Sequence, residues 1–172
     1  GSSQILVAGT IEDDSPLKSV TVNGEEATVN EDLSFSHVLT LEDGVHDIKV
    51  EAIDIFENTM QIARKVIVDT IAPTLTVKDY STTTEEETAS ITVNIQDNFD
   101  EARLYVNDSE VYKNDFTAPF AMRSFDKDVT FKVDLKKKKN TFKLVVTDIL
   151  GHKATQVINI TRTAPGEGTP DP

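Results

Sequence analysis

Asp54-Ile-Phe-Glu-Asn-Thr-Met-Gln-Ile-Ala-Arg-Lys-Val-Ile-Val-Asp-Thr-Ile-Ala-Pro-Thr74 decides how this chain is read. It reads as a strand end, a tight turn, a closing strand and a short joint marked by proline. Much of it returns as Asp148-Ile-Leu-Gly-His-Lys-Ala-Thr-Gln-Val-Ile-Asn-Ile-Thr-Arg162. A stretch that ends a unit and then recurs predicts an internal repeat.

Working outward, the repeat extends through most of the chain. Ile11-Glu-Asp-Asp14 matches Ile95-Gln-Asp-Asn98, and Val20-Thr-Val-Asn23 matches Leu104-Tyr-Val-Asn107, both 84 residues apart. Further on, Leu39-Thr-Leu41 matches Val133-Asp-Leu135 and Ala52-Ile-Asp-Ile55 matches Val146-Thr-Asp-Ile149, now 94 apart. The change places an insertion of ten residues between Tyr112 and Lys127. Within each copy the apolar pattern has a period of two. Leu33, Phe35, His37, Leu39 and Leu41 alternate with smaller or polar residues, as do Ile48, Val50 and Ala52 with Asp47, Lys49 and Glu51. That is the pattern of half-buried strands. Ile5 to Ile11 reads as a short buried strand. Asn23-Gly24 between two such runs marks a hairpin, because both residues tolerate positive φ. Thr74 to Val77 opens a strand with no counterpart at the start of the first copy, so that copy is expected to lack its first strand.

The totals agree with strands. Aromatics are 6% of 172 residues, Trp is absent, and Val, Ile and Thr are frequent. The expected fold is all-β: two tandem antiparallel β-sandwiches, residues 1–70 and 71–163, the second carrying the insertion, then a Pro/Gly-rich linker over 164–172. Gly1-Ser-Ser3 reads as a cloning scar, so the chain is expected to be a piece of something longer. A net charge of −13 repels phosphate backbones and argues against nucleic acid. Residues 1–72 carry most of it, with 14 acidic against 4 basic residues. With no cysteine there is no disulfide, thiolate zinc site or thiol nucleophile. No apolar run approaches the roughly 18 residues of a helical membrane span.

The order Val-Asn-Gly, alternating strand, Glu-Asp-Gly turn, Ile-Lys-Val-Glu-Ala strand, Asp-x-x-x-Asn and Val-Asp-Thr-x-Ala-Pro resembles bacterial Ig-like and fibronectin-III-like repeats of secreted and cell-surface proteins. In that family the turn is usually Asp-x-x-Gly-Asn. Here Glu57 replaces the glycine in one copy, and His152 replaces the asparagine in the other. The resemblance implies an Ig-like sandwich and an extracellular or cell-surface location. It implies an accessory or spacer module, with neighbouring domains of the same polypeptide as partners and any catalytic domain outside this stretch. Such repeats lie C-terminal to subtilisin-like cell-envelope proteases, the first expectation for the parent, and to polysaccharide-degrading enzymes. They also build adhesin stalks that bind host or cell-wall ligands.

No catalytic constellation emerges from the residues. The imidazoles are His37, His46 and His152, each at a strand or turn position. No Gly-x-Ser-x-Gly, His-Glu-x-x-His or glycine-rich phosphate loop is present. Calcium is the one cofactor the acidic loops suggest, since it takes six to eight hard oxygens. The candidate ligands are Asp13 and Asp14 in one loop and Asp97, Asn98 and Asp100 in its repeat partner. None follows EF-hand spacing, and solvated acidic loops are the commoner outcome. Asp54 and Asp148 read instead as caps of their turns. Lys136-Lys-Lys-Lys139 reads as a solvated hairpin tip, with contact to an anionic cell-wall polymer as the sharper alternative. Phe116, Phe120, Met122 and Phe125 in the insertion read as an extra edge strand on the second core. The alternative is a partner-binding surface.

Overall fold

A computed structural model describes residues 1–164. Most of the expected linker, residues 165–172, lies outside the described residues. Contacts divide the chain into two compact units, Gly1–Thr70 and Ile71 onward. Each is an antiparallel β-sandwich, and no helix occurs among the described residues.

In the first unit the strands are β1 (Ser2–Thr10), β2 (Leu17–Val22), β3 (Glu25–Glu26), β4 (Thr28–Val29), β5 (Ser34–Glu42), β6 (Gly44–Asp54) and β7 (Thr59–Val68). They form two sheets, ordered β1-β5-β4 and β3-β2-β6-β7. The core between them holds Val20, Val22, Phe35, Leu39 and Ile48. These are the inward members of the period-two runs. β1 is only half-buried, with Leu6 66% exposed, so the buried strand expected over Ile5–Ile11 is instead an edge.

In the second unit the strands are β8 (Thr74–Tyr80), β9 (Thr83–Thr84), β10 (Thr88–Asp97), β11 (Ala102–Val106), β12 (Ser109–Asn114), β13 (Phe125–Asp134), β14 (Lys138–Thr147) and β15 (Lys153–Arg162). The sheets are ordered β13-β10-β8 and β12-β11-β14-β15-β9. β9, inside the polar and acidic stretch Ser81–Glu87, pairs parallel with β15. The core is larger here. Ile91, Val93, Ile95, Leu104, Leu144, Val146 and Ile160 are all fully buried.

The repeat is visible as register. Ile5 faces Leu39 in the first unit; Ala89, 84 residues on, faces Val133, 94 residues on. Val22 faces Val50 as Val106 faces Leu144. Gly44 faces Val68 as Lys138 faces Arg162. Both β2–β3 and β11–β12 turn through two residues of positive φ, Asn23-Gly24 and Asn107-Asp108. The asparagine side chain then extends the ladder. Asn23 Oδ1 accepts from Lys49 N at 2.8 Å, and Asn107 Oδ1 from Lys143 N at 2.9 Å.

Candidate functional site

The ten residues that separate the two repeat offsets form the loop between β12 and β13, residues 115–124. No strand forms there, so the extra edge strand expected from the sequence is replaced by an irregular loop. Its backbone carbonyls explain why. Arg123 donates from Nη1 to the Thr117 carbonyl at 2.8 Å and from Nη2 to the Pro119 carbonyl at 2.7 Å. Its Nη1 also lies 3.7 Å from Asp100 Oδ2. One guanidinium thus satisfies acceptors that a sheet neighbour would otherwise take. Ala118–Pro119 is cis.

The aromatic residues of this loop divide by depth. Phe125 begins β13 and is buried in the core. Phe116 is half-buried and meets fully buried Phe99 edge-on, with centroids 5.9 Å apart. Phe120 stacks on the outside of Phe116 at 5.1 Å, with an interplanar angle of 21°. Phe120 is 52% exposed and Met122 49% exposed. A stack anchored at one end and open at the other can cap a core or present a flat apolar face to a ligand.

The calcium candidates lie in two loops. Asp13 and Asp14 are exposed, and Asp13 Oδ1 accepts from Ser15 N at 2.8 Å, an ordinary Asx turn. In the second unit Asp97 Oδ1 accepts from Asn98 N at 2.8 Å. Asp100 is buried, and its carbonyl accepts the Asn114 amide. The first loop is therefore solvent-facing, whereas the second is tied into the protein.

Asp54 and Asp148 cap their turns as the sequence reading expects. Asp54 Oδ1 accepts from Phe56 N and Asn58 N, both at 2.8 Å, and its Oδ2 accepts from Asn58 Nδ2 at 2.8 Å. The Asn58 side chain, helped by those backbone N–H groups, holds the Asp54 carboxyl below the usual carboxylate range. Asp148 repeats the device with Leu150 N, His152 N and the His152 ring, whose Nδ1 lies 2.7 Å from Oδ2. The imidazole at 152 thus stands where Asn58 stands, as a turn brace. His37 Nδ1 meets the Glu26 carbonyl at 3.1 Å, and His46 Nε2 the Glu42 carbonyl at 2.7 Å. The lysine run 136–139 lies at the β13–β14 turn, where the Asn140 side chain bonds Lys136 N and the carbonyls of Lys136 and Lys138.

Residues 2–70 match the family model of glucodextranase, domain B. The chain is similar to the solved fibronectin(III)-like modules of Clostridium thermocellum CbhA, with 13% identity over 98% of this chain and 90% of that one and a TM-score of 0.56. A second solved structure, Bacteroides ovatus SGBP-B of a mixed-linkage glucan utilization locus in complex with mixed-linkage heptasaccharide, aligns with 91% of this chain and 40% of its own. Its identity is 11% and its TM-score 0.28. A comparison with curated proteins gives no match. The match over the first unit and the likeness over both establish the fold as that of bacterial Ig-like and fibronectin-III-like modules.

Proposed function

We propose that the chain is a non-catalytic accessory module of a secreted bacterial enzyme that acts on polysaccharide, and that it supports or presents a neighbouring catalytic domain. The observation that carries this reading is the match of residues 2–70 to a domain of a glucodextranase. It favours a glycan-acting parent over the subtilisin-like protease expected from the turn and joint motifs. Each of the three histidines bonds a backbone carbonyl or a turn carboxylate through one ring nitrogen. An extracellular location follows from the same reading.

Deleting residues 1–172 from the parent enzyme tests it. Turnover of a small soluble substrate should stay within about twofold of wild type, because the catalytic groups are elsewhere, while activity on the polymer falls. Hydrolysis of glucan or casein by the isolated 172-residue chain would sink the proposal. The reading frame on either side of the stretch discriminates the parents directly: a glycosidase domain supports this reading and a Ser-His-Asp protease domain overturns it. Calcium at Asp97, Asn98 and Asp100 would add to the role without changing it. If EDTA leaves the melting temperature unchanged, that addition is removed.

A second reading rests on exposed Phe120. As a stalk or adhesin module, the chain would bind a cell-wall polymer or protein ligand through the aromatic loop. Phe116→Ala should destabilise the second unit by about 2 kcal/mol, because it uncovers Phe99. Phe120→Ala should change stability by less than about 1 kcal/mol. Retention on cell-wall material that is lost in Phe120→Ala would favour this second reading. Equal retention of both proteins would remove it.

A further inference from the structure

In the first unit a groove of about 730 Å³ runs along β1 and the two residues after it, from Ile5 to Glu12, and across to β7. Its walls are Val7, Ile11, Val50, Met60, Ile62 and Val66. Val7 and Ile11 lie on or just past β1, and Val50, Met60, Ile62 and Val66 lie on β6 and β7 of the opposite sheet. Such side chains normally meet over a sandwich core; here Met60 is 68% exposed and Ile62 45%.

The second unit shows what fills the same place. There β8 pairs antiparallel with β10, with Val77 opposite Val93 and Leu75 opposite Ile95. β8 also packs against β14 and β15 of the facing sheet. Under that cover Val93, Ile95 and Ile160 are fully buried and Ile158 is 4% exposed. Their counterparts in the first unit are Gly9, Ile11, Val66 and Arg64, and none of these four is buried. The β10 residues that β8 pairs with, Ile91 to Gln96, correspond to Val7 to Glu12, which lie within the span of the groove. One side of β1 is taken by β5, and among the described residues no strand pairs with the other.

We propose that β1 is an acceptor edge whose occupant is an extended strand of the same polypeptide, supplied by the segment preceding β1 in the parent protein. It runs antiparallel to β1 and inserts alternate apolar side chains between β1 and β7. The source follows from the repeat: β8 enters from immediately upstream of β10, through the turn 81–87. A main-chain ladder supplies affinity along such an edge, and alternate side chains supply the fit. Charge agrees, since residues 1–72 are strongly acidic and β8 brings a lysine, Lys78, that pairs with Asp128 at 2.9 Å in its own unit. An unpaired apolar edge is otherwise a template for association.

The test grafts a second copy of residues 74–87 ahead of Gln4 in the full chain, in place of Gly1–Ser3. The expected results are slower amide exchange along Val7–Glu12, by at least about tenfold, and a rise of roughly 5 °C or more in the melting of the first unit. A control graft carrying Leu75→Asp and Val77→Asp in the added copy should give neither. If both grafts behave alike, or neither slows exchange, the proposal fails. If the grafts do not fold, a synthetic peptide of residues 74–80 titrated into the original chain decides. NMR shifts confined to β1 and β7 uphold the acceptor edge, and no shifts overturn it. Sedimentation of the original chain closes the remaining route. A dimer abolished by Ile62→Lys would give the edge to a second copy instead.

Discussion

The two units repeat the same antiparallel pairings, each within its own sheets, and fill them differently. Gly9 faces Phe35 in the first unit where Val93 faces Val129 in the second. Val50 stands where Leu144 stands, and Arg64 where Ile158 does. The ladder is backbone, so it follows from strand length and turn position. The filling is side chain, and it depends on whether a further strand covers the core. Fold can therefore be retained while core burial falls, which leaves the first unit the weaker partner.

The largest expected effect tests that difference directly. Leu144 is fully buried, so Leu144→Ala should cost about 3 kcal/mol, through lost transfer energy and a cavity. Val50, its counterpart, is only half-buried, and Val50→Ala should cost about 1 kcal/mol. Urea unfolding followed by amide signals of each unit measures both. Equal costs would break the comparison and mean that the first core is as closed as the second.

A smaller effect sharpens the comparison at the Gly9–Phe35 pair. A Cβ built on Gly9 would come within 2.8 Å of the Phe35 ring, so the ring occupies the space that Val93 fills in the other unit. Gly9→Val should destabilise the first unit by about 2 kcal/mol through overpacking. Adding Phe35→Val converts the pair to that of the second unit and should recover most of the loss. Contacting residues couple in this way, and additive costs in the double variant would show that the ring moves aside freely.

Much of this architecture was legible in the sequence. Asn23-Gly24 announced its hairpin because positive φ at two successive residues is a backbone requirement that few residues meet. The offsets of 84 and 94 became register because strand pairing preserves sequence order. What stayed hidden was tertiary. Ile5, Val7 and Ile62 alternate as core residues do, yet Ile5 and Val7 are only half-buried and Ile62 is 45% exposed, a difference that periodicity does not record. The insertion misled for a related reason. Its aromatic residues were visible, but a loop held by Arg123 through two carbonyls leaves no trace in hydrophobic spacing. Nor did sequence separate Phe116, which covers Phe99, from Phe120, which stacks outside it.

The smallest effect returns to the turn that opened the reading. Glu57 has φ 65°, and its counterpart Gly151 has φ 89°. The left-handed region costs a residue with a Cβ about 1 kcal/mol, and glycine almost nothing. Glu57→Gly removes that strain. It also removes the Lys18–Glu57 ion pair, whose side chains are both more than half exposed and which is therefore worth little. Extra freedom in the unfolded chain offsets part of the gain. The net expectation is a stabilisation of about 0.5 kcal/mol, read as a small rise in the melting of the first unit. The reverse change, Gly151→Glu, has no ion pair to recover and should cost the second unit about 1 kcal/mol. If Glu57→Gly lowers stability instead, the Lys18 contact outweighs backbone strain, and the departure from glycine at this turn is a compensated exchange.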